Sequence, residues 1–175
     1  MQDMMRLVEP LIPQLRRYAR SMLWNQAEAD DLVQDCLLRV IDRWHQRRAD
    51  GNARTWVFTI LHNLTINYLR QKSRRGPHVN LEDVTDVTFG YPASQDSSLS
   101  YRDLQKSLAT LPEEQRSVLL LVTIEELSYA DVAKVLDIPI GTVMSRLARA
   151  RERLMKMMDG EAALPRHSPN IRRIK

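Results

Sequence analysis

The stretch Leu127-Ser128-Tyr129-Ala130-Asp131-Val132-Ala133-Lys134-Val135-Leu136-Asp137-Ile138-Pro139-Ile140-Gly141-Thr142-Val143-Met144-Ser145-Arg146-Leu147 decides the fold. Ser128 with Asp131 three residues on is a capping-box pattern ahead of an apolar-periodic run, which predicts a helix to about Leu136. Pro139 and Gly141 then punctuate the chain before a second helix expected to start near Thr142. Two helices around a tight turn, the second long and studded with arginine, have the layout of a helix-turn-helix, whose second helix enters the DNA major groove.

Wrapping residues 142–156 at 3.6 per turn puts Val143, Leu147, Ala150 and Leu154 on one core-facing stripe. Thr142, Ser145 and Arg149 lie opposite, flanked by Arg146, Arg153 and Lys156. The N-terminal part of such a helix reaches base edges and the remainder meets phosphates, because the axis leaves the groove. Thr142, Ser145, Arg146 and Arg149 are therefore expected at or near bases, and Arg153 and Lys156 at the backbone. The plainer reading of a basic helix is a solvated face with intrahelical pairs to Glu152; the capped helix and turn upstream weigh against it.

The module lies in a chain of 175 residues with few strand-like alternations, five glycines and long 3.6-period patterns, which predicts an all-α protein with no sheet. A polar stretch near the middle favours two small helical domains, at 1–72 and 101–159, joined by a flexible linker over 73–100 and followed by a flexible basic tail over 160–175. The net charge of +4 permits a polyanionic partner without demanding one. Clustering says more: Arg70, Lys72, Arg74 and Arg75 form one basic group, and Arg146, Arg149, Arg151, Arg153 and Lys156 another, so two separate nucleic-acid contacts are expected. The single cysteine, Cys36, allows no internal disulfide. No apolar run approaches a membrane span and Asp3 and Glu9 break any signal-peptide pattern, so a cytoplasmic protein without membrane insertion is expected. Enzyme readings fare poorly, since His45, His62, His78 and His167 are scattered, Cys36 has no metal-spaced companion and no glycine-rich phosphate loop occurs. Neither catalytic residues nor a metal or cofactor is expected, and His62 is read as a surface or packing residue.

In the first domain the pattern Leu7, Leu11, Leu15, Tyr18 and Met22 predicts an opening helix whose first turns Pro10 and Pro13 disturb. A helix over 28–44 carries Val33, Cys36, Leu37, Val40 and Trp44 on one face. After a polar loop comes a helix over 55–72 with Val57, Leu61, Leu64 and Tyr68 inward and Trp56, Thr59, Asn63, Asn67 and Arg70 on the other side. Aromatic rings stack on unpaired bases, asparagine amides read base edges in both senses, and the following basic residues hold phosphates, a combination that suits single-stranded or melted DNA. A tryptophan that merely caps the core, with asparagines in water, is the alternative. Asp31, Asp35, Leu38 and Asp42 point away from the apolar stripe of the 28–44 helix, either as a docking surface for a basic protein or as an ordinary solvated face. In the second domain a helix at 101–110 precedes one begun by Pro112, with Glu113 and Glu114 in its first turn and Leu119, Leu120, Val122 and Ile124 inward.

Three stretches, Asp30-Asp31-Leu32-Val33-Gln34-Asp35-Cys36, Thr55-Trp56-Val57-Phe58-Thr59-Ile60-Leu61-His62-Asn63-Leu64-Thr65-Ile66-Asn67 and Leu127 through Arg153, together resemble the extracytoplasmic-function sigma factors of bacteria, over about residues 5–157. The resemblance implies a sigma-2 domain that docks on the beta-prime clamp helices of core RNA polymerase and captures the melted minus-ten element. It implies a sigma-4 domain that binds the minus-35 duplex and the beta flap, with no sigma-3 domain between. By position, Asp31, Gln34, Asp35 and Leu38 become the polymerase-docking face, which settles the acidic helix in favour of docking. Residues 45–54 become the loop that pockets a flipped base, with Asn63, Asn67 and Trp56 beside it and Arg70, Arg74 and Arg75 on phosphates. Met144 departs from the family, many of whose members carry arginine there. An anti-sigma partner is a further implication. A helix-turn-helix regulator that does not replace the sigma subunit, and a sigma-like decoy for an anti-sigma factor, are the competing readings.

Overall fold

Periodic apolar patterns separated by helix breakers leave the backbone few options besides helix, and the computed structural model, which describes residues 2–48, 51–74 and 97–162, contains no strand among them. The order is α1 Gln2–Val8, a 3-10 turn Glu9–Leu11, α2 Ile12–Leu23, α3 Gln26–Arg43, a 3-10 turn Trp44–Gln46, α4 Ala53–Arg74, α5 Ser97–Thr110, α6 Glu113–Thr123, α7 Tyr129–Leu136 and α8 Ile140–Ala162. The expected linker core, the end of the basic tail and Arg75 lie outside the described residues.

Helices α1–α4 form the first bundle. Pro10 and Pro13 lack the amide protons a continuous helix would use, so the chain passes through the 3-10 turn and the apolar register slips. Met4 and Val8 therefore face the core from α1, while Leu7, expected inside, is 45% exposed. Leu11, Leu15, Tyr18 and Met22 are buried as the periodicity predicts. Trp24 closes α2 in a left-handed conformation and Asn25 caps α3, its Oδ1 accepting from the Glu28 amide at 3.0 Å. Val33, Cys36 and Val40 of α3 meet Val57, Phe58 and Leu61 of α4, and the Tyr18 ring stands edge-on to Phe58 at 5.8 Å. Cys36 is a free, buried thiol, pushed up to about 12 by desolvation.

The second bundle packs α6, α7 and α8 around Val118, Leu121, Val132, Val135, Val143, Leu147 and Ala150, with α5 against α8. Pro112 stands one place earlier than expected, as the N-cap of α6 and not its first residue. Val122 and Ile124 are only half-buried, whereas Val118, Leu119, Leu120 and Leu121 are all buried. Four consecutive buried residues span every side of a helix, and the cause is that α6 lies between α8 and the first bundle. The two bundles are thus packed on one another, α4 against α7 and α2 against α6, where the sequence predicts bodies joined only by a tether.

His62 sits in the first bundle, its Nδ1 2.9 Å from the Tyr18 hydroxyl, which fixes it as a packing residue. Burial, with a smaller push from Arg70, lowers its pKa to about 4. Its neutral form therefore fits the fold, and the stabilisation is complete above the unfolded value near 6.5 and lost as pH falls from there toward 4. A shift of this size corresponds to roughly 3 kcal/mol. Urea unfolding at pH 7 and pH 4.5 is expected to show a larger acid destabilisation for the native protein than for His62→Gln; equal losses would contradict it.

Candidate nucleic-acid and polymerase interfaces

The helix-turn-helix forms as its caps dictate. The Asp131 amide donates to Ser128 Oγ at 3.1 Å, and the Ser128 hydroxyl donates to the Asp131 carboxylate at 2.7 Å. Asp137, in the left-handed region with φ 52°, ends α7, and the Ile138 amide reaches back to the Ala133 carbonyl at 3.0 Å. The Pro139 carbonyl then accepts from Thr142 at 2.9 Å and Val143 at 3.2 Å, so α8 begins at Ile140, two residues before the expected start.

The predicted stripe of α8 holds: Val143, Leu147 and Ala150 are buried and Leu154 is half-buried against them. Ser145, Arg149, Arg153 and Lys156 are exposed on the other side and Thr142 is half-buried. Met144, 49% exposed, lies among them as an apolar element in a polar surface. Arg146 is half-buried because its guanidinium meets Glu114 of α6 at 2.8 Å. The intrahelical pair to Glu152 is made by Lys156, at 2.7 Å, and its hydrogen bond holds the Glu152 carboxyl below the usual range. Both partners are exposed, so this pair contributes little and leaves Lys156 mobile enough to trade it for a phosphate.

On α4, Asn63, Asn67, Arg70 and Arg74 are exposed in register down one side. Trp56 is half-buried, its ring in T-shaped contact with Trp44 at 5.9 Å and 73°. Arg47 stacks over Trp44 at 4.7 Å while its Nη1 donates to the Gly51 carbonyl at 2.8 Å and the Arg48 carbonyl at 3.1 Å. An aromatic pair and one guanidinium therefore gather the two ends of the loop that follows α3. The sequence pattern places Trp44 in the core and gives Arg47 no role, and the four-residue spacing from Arg47 to Gly51 carries meaning only once the loop folds back. Lys72, grouped with the basic cluster, is held by Glu28 at 2.8 Å and so braces α4 against α3.

On α3, Asp31, Gln34, Asp35 and Leu38 are exposed together, Leu38 at 65%. Ile41, 55% exposed, extends this face toward an apolar groove of about 160 Å³ lined by Met4, Met5, Val8, Ile12 and Leu37. The groove depends on α1 lying beside α3, which no local periodicity signals. Among the described residues no His, Cys, Asp and Glu cluster has the geometry to hold a metal ion, and no helix is long and apolar enough to cross a membrane.

Residues 8–62 match the family model described as the Sigma2 domain of PhyR, and residues 101–154 match Sigma-70, region 4. The ECF RNA polymerase sigma factor EcfG of Rhodopseudomonas palustris is 33% identical over 153 residues, covering 84% of this chain and 80% of that protein. The sigma factor SigW of Bacillus subtilis is 30% identical over 148 residues, covering 78% and 79%. Among solved structures, the sigma factor RpoE in complex with the anti-sigma factor NepR from Bartonella quintana superposes with a TM-score of 0.74 at 30% identity, over 91% of this chain and 98% of that one. CnrH, in complex with the cytosolic domain of CnrY, shares the fold with a TM-score of 0.70 at 22% identity, over 91% and 90%. Two helical bundles, the second built on a helix-turn-helix, define a transcription factor of the sigma type. The chain belongs to the extracytoplasmic-function RNA polymerase sigma factors.

Proposed function

We propose that the chain is a cytoplasmic, non-catalytic promoter-specificity subunit whose residues 1–72 dock on core polymerase and hold the melted minus-ten strand, and whose residues 101–159 read the minus-35 duplex. The observation that carries this reading is the pairing, in one chain, of an exposed Ser145 and Arg149 row on a capped helix-turn-helix with an exposed Asn63 and Asn67 row on α4. Thr142, Ser145 and Arg149 serve bases, Arg146 joins them by exchanging its pair with Glu114 for DNA, and Arg153 and Lys156 serve phosphates. Trp56, Asn63 and Asn67 serve the opened strand, with Arg70 and Arg74, and Arg75 beyond the described residues, on its backbone. Asp31, Gln34, Asp35 and Leu38 face the beta-prime clamp helices, where charge orients the partner and the exposed leucine supplies buried area. The beta flap is the second polymerase contact. An anti-sigma factor is the regulatory partner, as NepR is for RpoE in the complex that shares this fold at 30% identity. Nothing favours a regulator that leaves the sigma subunit in place, or a decoy, since both DNA rows are present.

Purified core polymerase supplemented with this chain is expected to initiate from a cognate promoter, and Asp35→Arg is expected to abolish that gain by charge reversal at the docking face. A pull-down with unchanged polymerase affinity would return α3 to a solvated face. Arg149→Ala should weaken minus-35 duplex binding by about 1–3 kcal/mol with a loss that depends on the base sequence; an equal loss on all sequences reassigns the side chain to phosphate. Asn63→Ala should slow promoter opening, read by permanganate reactivity of unpaired thymines, while full-length protein still binds the minus-35 duplex. Loss of both activities together would remove Asn63 from the opened strand.

A further inference from the structure

The N-terminal half of α8 carries two exposed rows, and only one of them is polar. Ser145 and Arg149 form the row already described. Beside it, Ile140, Met144 and Ala148 follow one another at four-residue spacing and are all exposed, Ile140 at 46% and Met144 at 49%. The fold has no use for these side chains inside, because Val143, Leu147 and Ala150 already fill the core stripe of α8. The approach from outside is open: a Cβ on Gly141, between the two rows, would meet no atom within 4 Å. Isoleucine has no hydrogen-bonding group and methionine only a weak acceptor, so neither can replace the water it would strip from a polar base edge. In the major groove the base edges present donors and acceptors, with one exception, the 5-methyl group of thymine. Pressing an apolar side chain on that methyl removes two apolar surfaces from water at once.

We infer that Ile140 and Met144 read thymine 5-methyl groups in the minus-35 duplex, so that this sigma factor selects part of its promoter by apolar contact as well as by hydrogen bonding. The inference rests on the proposed placement of α8 in the minus-35 groove. Two observations favour DNA over a protein as the occupant of the row. Met144 adjoins Ser145 at the surface, so a protein seated on it would shut DNA out from Ser145 and Arg149. Arg149, Arg151 and Arg153 are exposed around the row, a charge that attracts a polyanion and repels a basic partner. Spacing limits which positions are read. Four residues of helix rise about 6 Å and successive base pairs stand about 3.4 Å apart, so the two methyls lie within about two base-pair steps of each other. Met144, unbranched, adjusts to a methyl over a range of positions, whereas β-branched Ile140 is stiff and holds to one.

The test uses core polymerase loaded with the full chain to select promoters from a pool randomised across the minus-35 element. Each thymine of the selected element is then replaced by uracil, which removes the methyl and leaves the pairing. At one or two positions the native protein is expected to lose affinity by about fourfold, the effect of about one buried methyl-sized group. Polymerase carrying Met144→Ala should bind the thymine duplex more weakly and lose less than about 1.5-fold from the same replacement, because the partner of the methyl is already gone. Where that thymine is exchanged for cytosine, 5-methylation of the cytosine should regain about twofold or more for the native protein and nothing for Met144→Ala. Met144→Arg should remove the methyl response and steepen the salt dependence of binding by about one counterion. Circular dichroism reports whether each variant is folded. Equal losses on uracil in native and Met144→Ala proteins overturn the inference, as does a selected element that lacks thymine or is indifferent to every replacement. Weakened polymerase binding by Met144→Ala with the uracil response intact assigns the row to a protein contact and overturns it too. Polymerase that selects no promoter at all counts against the promoter reading itself, whereas selection without any methyl effect leaves that reading standing and removes only the apolar contact.

Discussion

A carboxylate with no access to water must have a cation against it, and in this chain that requirement sets the relation between the two bundles. Glu125 stands just past the C-cap of α6, where the chain leaves the helix toward the helix-turn-helix; its side chain is buried, Arg17 of α2 bonds its carboxylate and Arg54 of α4 bonds its carbonyl. Desolvation raises its pKa, and the hydrogen bond and charge of Arg17 work against that rise. The geometry of the guanidinium fork then fixes orientation: two parallel bonds from one planar group permit little rotation of α2 against α6. Arg116 repeats the device in the opposite sense, delivering a buried guanidinium from the second bundle to a free helix-end carbonyl in the first, next to the left-handed Trp24 that ends α2.

The same packing decides which charges face solvent. Arg146 turns aside to Glu114, whereas Arg149, Arg153, Asn63, Asn67 and Arg70 stay outward. Basic residues on α8 and acidic ones on α3 lie on different bundles, so the molecule presents one face suited to a polyanion and another suited to a basic partner. Segregation of this kind suppresses the wrong pairing at each surface, since like charges meet wherever the partners are exchanged. A modest net charge of +4 conceals it.

Local chemistry was readable from the sequence wherever a helix buries one stripe. Val143, Leu147, Ala150 and Leu154, the Ser128 cap, and the Val57, Leu61 and Leu64 face follow from spacing alone, because the partner of each lies on the far side of a single bundle. The pattern failed where a helix touches two bodies or where proline resets the register. Leu7 was drawn inward by a periodicity that the Glu9–Leu11 turn interrupts, and α6 was given one apolar side when its middle, Arg116–Leu121, is buried all round. Arg17, Arg54, Arg116 and Glu125 carried no signal, since a charged residue in a helical sequence reads as surface until a partner more than sixty positions away is known.

The candidate site was legible for a related reason, and incompletely. Residues offered to a ligand must be exposed, so their side of the helix is the complement of the apolar stripe; Asn63, Asn67, Ser145 and Arg149 are exposed as that complement predicts. Residues that position others have no such signature. Trp44 reads as core, yet its ring supports both Trp56 and the Arg47 guanidinium that holds the loop ends. In the proposed capture of the opened strand their placement matters because a flipped base would gain little from a pocket that must first be assembled: ordering loop backbone costs about 1–2 kcal/mol per residue, comparable to what one stacking contact returns. A loop already tied down by stacking and two carbonyl bonds has met part of that cost during folding, which leaves more of the contact energy for separating the strands.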